Sequence, residues 1–108
     1  MLNPTFLGES EMLDANKRIT ISGEDALNAL TEIELILVSL RKIGTYYIDK
    51  SSKEYQRATT DFIDNARITS RLAKVRGLIT AGFDTTLGDD DMDDLERHIQ
   101  GLKLWKPA

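Results

Sequence analysis

Apolar positions recur at the spacing of an α-helix over residues 22–50, the most hydrophobic part of the chain. Ser22 precedes this run and can accept a hydrogen bond from a backbone amide of the first turn, with the carboxylate of Asp25 reaching back. The apolar residues fall on one side of the predicted helix: Ala26, Leu30, Ile33, Leu37, Leu40 and Tyr47. We therefore predict one long helix, with this stripe packed against a second helix.

The second helix is predicted over about residues 52–80. Ser51 and Glu54 form a capping-box pattern, so the chain is expected to turn at Asp49 and Lys50 and to reverse direction. Its apolar residues form two stripes about 120° apart. Tyr55, Ala58, Phe62, Ala66, Thr69 and Ala73 make up the first stripe, and Ile68, Leu72, Val75 and Ile79 make up the second. We interpret the first stripe as the contact with helix one, and the second as the contact with a third helix or a partner chain.

A shorter third helix is predicted over about 88–103, with Gly88 as its N-cap. Its apolar residues are Met92, Leu95, Ile99 and Leu102. Trp105 follows the helix and is expected to close one end of the bundle, because a buried indole removes about 150–250 Å² from water.

The predicted fold class is therefore all-α. It is a small helical bundle built on a long antiparallel helix hairpin, about 22–50 and 52–80, with the shorter third helix added. Residues 1–21 show no sustained periodicity, so we expect a mostly irregular N-terminal segment packed on the bundle. Residues 22–108 form the predicted bundle domain.

Composition narrows the possible chemistry. The 108 residues include no cysteine, which excludes disulfides, thiolate nucleophiles and cysteine-ligated metals. The longest unbroken apolar run, residues 35–38, is far shorter than the roughly 20 residues of a membrane-spanning helix, so no membrane association is expected. The N-terminus lacks the basic start and apolar run of a signal peptide, so we expect the cytoplasm. No cofactor is predicted.

The acidic residues are concentrated near the predicted third helix. Five of them are the candidate partner-binding residues: Asp90, Asp91, Asp93, Asp94 and Glu96. No register of the segment from Asp84 to Glu96 fits the ligand spacing of an EF-hand, so no metal ligand is assigned. Three interpretations stay open: a solvated helix start that complements the helix dipole, an acidic docking surface for a basic partner, and weak divalent binding.

A basic row on the second helix consists of Arg67, Arg71 and Lys74. We expect these side chains to pair with the acids of the third helix or to be solvated. The net charge of −4 and the isoelectric point near 4.9 argue against a nucleic-acid partner. His98 is the only histidine, so histidine triads and multi-histidine metal sites are excluded, and no catalytic residue is assigned.

Helix one carries more apolar surface than one stripe needs. Leu35, Val38 and Tyr46 lie on the other side of the helix from Ile33 and Leu37. Either the N-terminal segment or a second copy of the hairpin would cover them, and we name these three residues as a candidate dimer surface.

These observations predict a non-catalytic protein-binding or regulatory protein, expected to be homodimeric. It would act through a helical surface and an acidic helix start, with another protein as its partner. The first alternative is an acidic inhibitor or immunity-type protein that blocks the basic site of a nucleic-acid-binding protein. A further alternative is weak nucleic-acid binding through the basic row.

Overall fold

Four α-helices form the fold of residues 12–108, which are the residues that this computed structural model describes. Helix α1 is Gly23–Tyr46, α2 is Ser52–Asn65, α3 is Ile68–Thr80 and α4 is Asp94–Ile99, and a 3₁₀ turn at Asp14–Asn16 precedes them. Helices α1, α2 and α3 pack together, and the most extensive contact is between α1 and α3. No strand occurs in residues 12–108, and the predicted all-α class is confirmed.

The described chain divides into two compact units. Residues 21–81, which contain α1, α2 and α3, form the first unit. Residues 12–20 together with residues 82–108, which contain the 3₁₀ turn and α4, form the second. The predicted packing of residues 1–21 on a bundle stays a prediction, since residues 1–11 lie outside the described residues.

Two serines cap the starts of α1 and α2 as predicted, whereas the predicted return bond from the Asp25 carboxylate is not among the hydrogen bonds of residues 12–108. The side-chain oxygen of Ser22 accepts a hydrogen bond of 3.0 Å from the Asp25 amide. Ser51 accepts from the Glu54 amide, and the Glu54 carboxylate accepts from the Ser51 amide, so the capping box is complete. These bonds satisfy amides that would otherwise have no partner in the first helical turn.

The predicted second helix is broken at Ala66 and Arg67, which is a correction to its continuous 52–80 range. Arg67 adopts a left-handed conformation with φ 54° and ψ 52°, which a helix cannot continue through. The Arg71 side chain stabilises the break, because its Nε donates a 2.7 Å hydrogen bond to the carbonyl oxygen of Ala66. This bond satisfies a carbonyl at the C-terminal end of α2.

The third helix is shorter than predicted and begins at Asp94 instead of near Gly88. Residues 88–91 form a turn, in which the Asp91 amide donates to the Gly88 carbonyl at 3.0 Å and Asp91 has φ 65°. Asp93 is the N-cap of α4, and Gly88 is not. Trp105 does not close an end of the fold, since the residue is 86% exposed.

The buried apolar side chains of α1 and α3 are small or β-branched. Ala29 on α1 and Ile68 and Val75 on α3 are each at most 8% exposed. The predicted stripe of helix one was therefore wrong as the packed face, because four of its large residues keep 38–53% of their surface exposed: Leu30, Ile33, Leu37 and Leu40. The buried face contains Ala29 and Glu32, and its centre lies roughly 80° around the helix from the centre of the predicted stripe.

Candidate functional sites

Arg97 holds the acidic segment together within the second unit. Its guanidinium donates to both carboxylate oxygens of Asp90, at 2.6 and 2.8 Å, and to Asp94 Oδ1 at 2.7 Å. Nη2 also donates to the carbonyl oxygen of Met92 at 2.9 Å. The hydrogen bonds from Arg97 lower the pKa of Asp90 to about 2, so Asp90 is ionised at neutral pH. A Cβ at Gly88 would lie 2.7 Å from Nη2, so only glycine leaves the guanidinium this position.

Asp94 is buried against the segment that precedes α1 in sequence. Only 8% of Asp94 and 6% of Asn16 is exposed. The carboxylate oxygen Oδ2 accepts 2.7 Å and 2.9 Å hydrogen bonds from Asn16 Nδ2 and from the Leu13 amide. The hydrogen bond from Asn16, with those from Leu13 and Arg97, lowers the pKa of Asp94. Sequence reasoning missed Asn16 because its partners Asp84 and Asp94 lie 68 and 78 residues away, and it missed Arg97 although its partners lie only three to seven residues away.

Asp93 and Glu96 serve the start of α4. The Asp93 carboxylate accepts from the Glu96 amide at 2.8 Å, and the Glu96 carboxylate accepts from the Asp93 amide at 3.0 Å. Of the five candidate partner-binding acids, these two cap a helix, Asp94 is buried, and Asp90 is bound to Arg97. Asp91 is exposed in the turn.

The basic row is split between two environments in the first unit. Arg71 Nη1 donates a 2.8 Å hydrogen bond to Glu32 Oε1, and Lys74 Nζ donates a 3.3 Å bond to Glu32 Oε2. Arg67 lies at the helix break, with an exposed side chain. Arg71 and Lys74 therefore pair with Glu32 of α1. The predicted pairing of these two residues with acids of the third helix was wrong.

Glu32 is the buried acid of α1, at 8% exposed. The hydrogen bond from Arg71, with that from Lys74, lowers the pKa of Glu32 against the opposing effect of burial. A buried carboxylate without such partners would be strongly unfavourable. Glu32 and Arg71 therefore fix which face of α1 packs on α3.

Four large apolar residues of α1 remain half-exposed beside this packed face, and we call them the apolar seam. They are Leu30 at 53%, Ile33 at 38%, Leu37 at 42% and Leu40 at 41% exposed. They repeat at intervals of three and four residues, so they form one continuous stripe along the helix. Nothing in residues 12–108 covers this stripe fully.

A shallow surface groove runs beside the apolar seam and contains the candidate dimer residues. Leu35 and Val38 line its first part, of about 640 Å³, together with Leu27, Leu30, Thr31 and Glu34. Val38 and Tyr46 line its second part, of about 450 Å³, together with Arg41, Lys42 and Thr45. Leu35 and Val38 are half-buried, whereas Tyr46 is 63% exposed.

Tyr46 is held at the end of the groove by its neighbours. Its ring packs edge-on against Tyr47 with centroids 4.9 Å apart, and Lys50 Nζ lies 4.2 Å from the Tyr46 ring centroid. This cation–π contact orients the ring without burying it.

Chemistry-bearing clusters are sparse in the part of the chain that the structure describes. Within residues 12–108, no group of three or more His, Asp or Glu side chains could hold a metal ion. In the same range, no helix has the length and apolar character needed to cross a membrane.

Comparisons of this chain with protein-family models, with curated proteins and with solved structures found no match.

Proposed function

We propose that this chain is a non-catalytic protein-binding or regulatory protein whose binding surface is the apolar seam of α1 and the groove beside it. The observation that carries the proposal is the exposure of Leu30, Ile33, Leu37 and Leu40, none of which is below 38%. Scattered apolar residues are normal on protein surfaces, but a continuous stripe of this kind is typical of an interaction site.

The helix supplies a firm platform for such a contact. Glu32 and Arg71 join the neighbouring face of α1 to α3 at 2.8 Å, so the seam is presented on a helix that is already anchored. Covering a half-exposed leucine yields about 1 kcal/mol, since full burial of such a side chain is worth about 1.5–3 kcal/mol. Four such residues supply a binding energy of several kcal/mol before association costs are subtracted.

The acidic segment is less suited to docking a basic partner. Asp94 is buried, and Asp93 and Glu96 are bound to each other's backbone amides. Asp90 already has a cation, Arg97, as its partner at 2.6 Å. A basic partner would have to replace these internal bonds, and this favours the α1 surface over an inhibitor that acts through the acids.

Nucleic-acid binding through the basic row has a similar difficulty. Arg71 and Lys74 are paired with Glu32, so phosphate binding would compete with an internal carboxylate. Arg67 is left as a lone exposed cation of the row, and nucleic-acid binding usually depends on several cations acting together.

The proposal is tested by capture of binding proteins from extract of the native cells, with the intact chain as bait. Leu30→Asp is expected to remove the captured proteins, because it places a charge at the most exposed position of the seam. Leu72→Asp on α3 is the matched control, since Leu72 is 49% exposed and lies off the seam. Equal capture by the wild type and both variants would refute the α1 surface, provided that circular dichroism shows all three to be folded.

A further inference from the structure

We infer that the occupant of the apolar seam is the seam of a second copy of this chain, with the two α1 helices antiparallel. The inference rests on the proposed function and names the partner of that surface. Three features of α1 support it: the spacing of the seam, two unpaired charges beside the seam, and the symmetry that a pair of identical helices must obey.

The spacing is that of a helix pair. Leu30, Ile33, Leu37 and Leu40 follow one another at three, four and three residues, the alternation that packs two helices along a common stripe. Their exposure of 38–53% leaves side-chain surface for a facing helix to cover. At Gly44, which continues the same alternation, no atom of residues 12–108 beyond its chain neighbours and the helix's own backbone lies within 4 Å of the position that a Cβ would take, so the stripe stays open there.

Two opposite charges flank one edge of the seam. Glu34 and Arg41 are both exposed, and neither side chain forms an ion pair with another residue in 12–108. They are seven residues apart, which is two helical turns or about 10.5 Å along the same side of α1. Their midpoint lies beside Leu37, in the middle of the apolar stripe.

This arrangement is self-complementary under a two-fold axis. Consider a two-fold axis that passes beside Leu37 and is perpendicular to the plane containing the two helices. It makes the helices antiparallel, and the edge with Glu34 and Arg41 lies on the same side of that plane in both copies. Glu34 of one copy then lies at the level of Arg41 of the other, and Arg41 lies at the level of Glu34. Each interface would therefore contain two identical ion pairs.

A parallel pair would not give this match. A two-fold axis along the helices places the edge with Glu34 and Arg41 against the opposite edge of the other copy, which contains Ala29 and Ile36. Ala29 is 7% exposed because it faces the fold of its own chain. Charges would then face apolar groups, so the antiparallel arrangement is the one that the surface favours.

The test is sedimentation equilibrium of the intact chain and of two charge reversals, Glu34→Arg and Arg41→Glu. The wild type is expected to have twice the mass of 12.1 kDa. Each reversal places like charges together in both ion pairs, so each is expected to raise the dimer dissociation constant at least about tenfold. An equimolar mixture of the two variants is expected to form a dimer again, because the arginine introduced at position 34 then faces the glutamate introduced at position 41 in one pair, and Arg41 faces Glu34 in the other.

The control is Arg57→Glu, which reverses an exposed charge on α2 and is expected to leave the mass unchanged. A wild type that stays monomeric at its highest soluble concentration would overturn the inference. If an equimolar mixture of the two charge-reversal variants does not regain the mass of a dimer, the antiparallel pairing is wrong. If the wild type is monomeric but Leu30→Asp still removes captured proteins, the partner is a different chain and the proposed function stands without this inference.

Discussion

Replacing Asn16 by alanine should destabilise the second unit strongly, although Asn16 has no role in the proposed surface. Its side chain makes three hydrogen bonds of 2.7–2.9 Å: two to Asp84 backbone atoms and one to the Asp94 carboxylate. A neutral hydrogen bond contributes about 0.5–1.5 kcal/mol and one to a charged group about 1.5–3 kcal/mol. The expected loss is therefore about 2.5–6 kcal/mol, because alanine supplies neither donor nor acceptor.

Amide hydrogen exchange followed by NMR measures this loss locally. The informative amide is that of Leu13, which donates to Asp94 Oδ2 at 2.9 Å, the same oxygen that accepts from Asn16 Nδ2. Since each 1.4 kcal/mol is a factor of ten, its exchange should accelerate by at least about sixtyfold. Asn28→Ala on the exposed face of α1 is the matched control and should leave this amide unchanged. Unchanged exchange at Leu13 in Asn16→Ala would refute the view that Asn16 holds Asp94 in place.

Three further predictions concern single residues. Arg71→Ala should lower the free energy of unfolding, measured by urea titration, by about 2 kcal/mol. Lys74→Ala should lower it by less than about 1 kcal/mol, because the Lys74 side chain is 56% exposed. Equal losses would contradict the view that Arg71 is the main partner of Glu32. Trp105, at 86% exposure, should be quenched by acrylamide as fully as free indole, and a protected fluorophore would contradict its placement. Arg97 lowers the pKa of Asp90 to about 2, against about 3.9 in the unfolded chain. The stability that the Asp90–Arg97 pair contributes should therefore be complete above about pH 4 and be lost as pH falls through about 2. A free energy of unfolding that does not change over this acid range would contradict the ion pair.

Helix starts were predictable where the signal is local. Ser22 and Ser51 cap helices through amides three residues away, so sequence spacing alone identifies them. The start of α4 could not be located from the acidic run, because several of its aspartates are suitable N-cap residues. Tertiary contacts determine which of them is the N-cap. Arg97 binds Asp90 and so keeps residues 88–91 in a turn, which leaves Asp93 as the cap.

The break between α2 and α3 did leave a trace in the sequence. Every member of the second apolar stripe, from Ile68 to Ile79, lies in α3. The second stripe therefore begins where the chain changes direction, although Thr69 and Ala73 of the first stripe also lie in α3. No glycine or proline marks the site, since an arginine adopts the left-handed conformation there.

Burial of Glu32 could not be predicted from its neighbours in sequence. Its partners Arg71 and Lys74 are 39 and 42 residues away, and many other acids were equally eligible. A stripe of leucines therefore looked like the packed face, whereas the ion pair and the small side chain of Ala29 place a different face of α1 against α3. The apolar residues left outside became the candidate surface.

Disulfide crosslinking tests the central claim most directly, because the chain has no cysteine of its own. The axes of two packed helices lie about 8–10 Å apart, and each Cα lies about 2.3 Å from its own axis. Facing Cα atoms are therefore about 3.5–5.5 Å apart, which overlaps the Cα–Cα distance of a disulfide. Leu37→Cys should therefore give a covalent dimer on mild oxidation, and Leu72→Cys, similarly exposed on α3, should not. Failure of Leu37→Cys to crosslink, or equal crosslinking of both variants, would contradict an interface centred on the apolar seam.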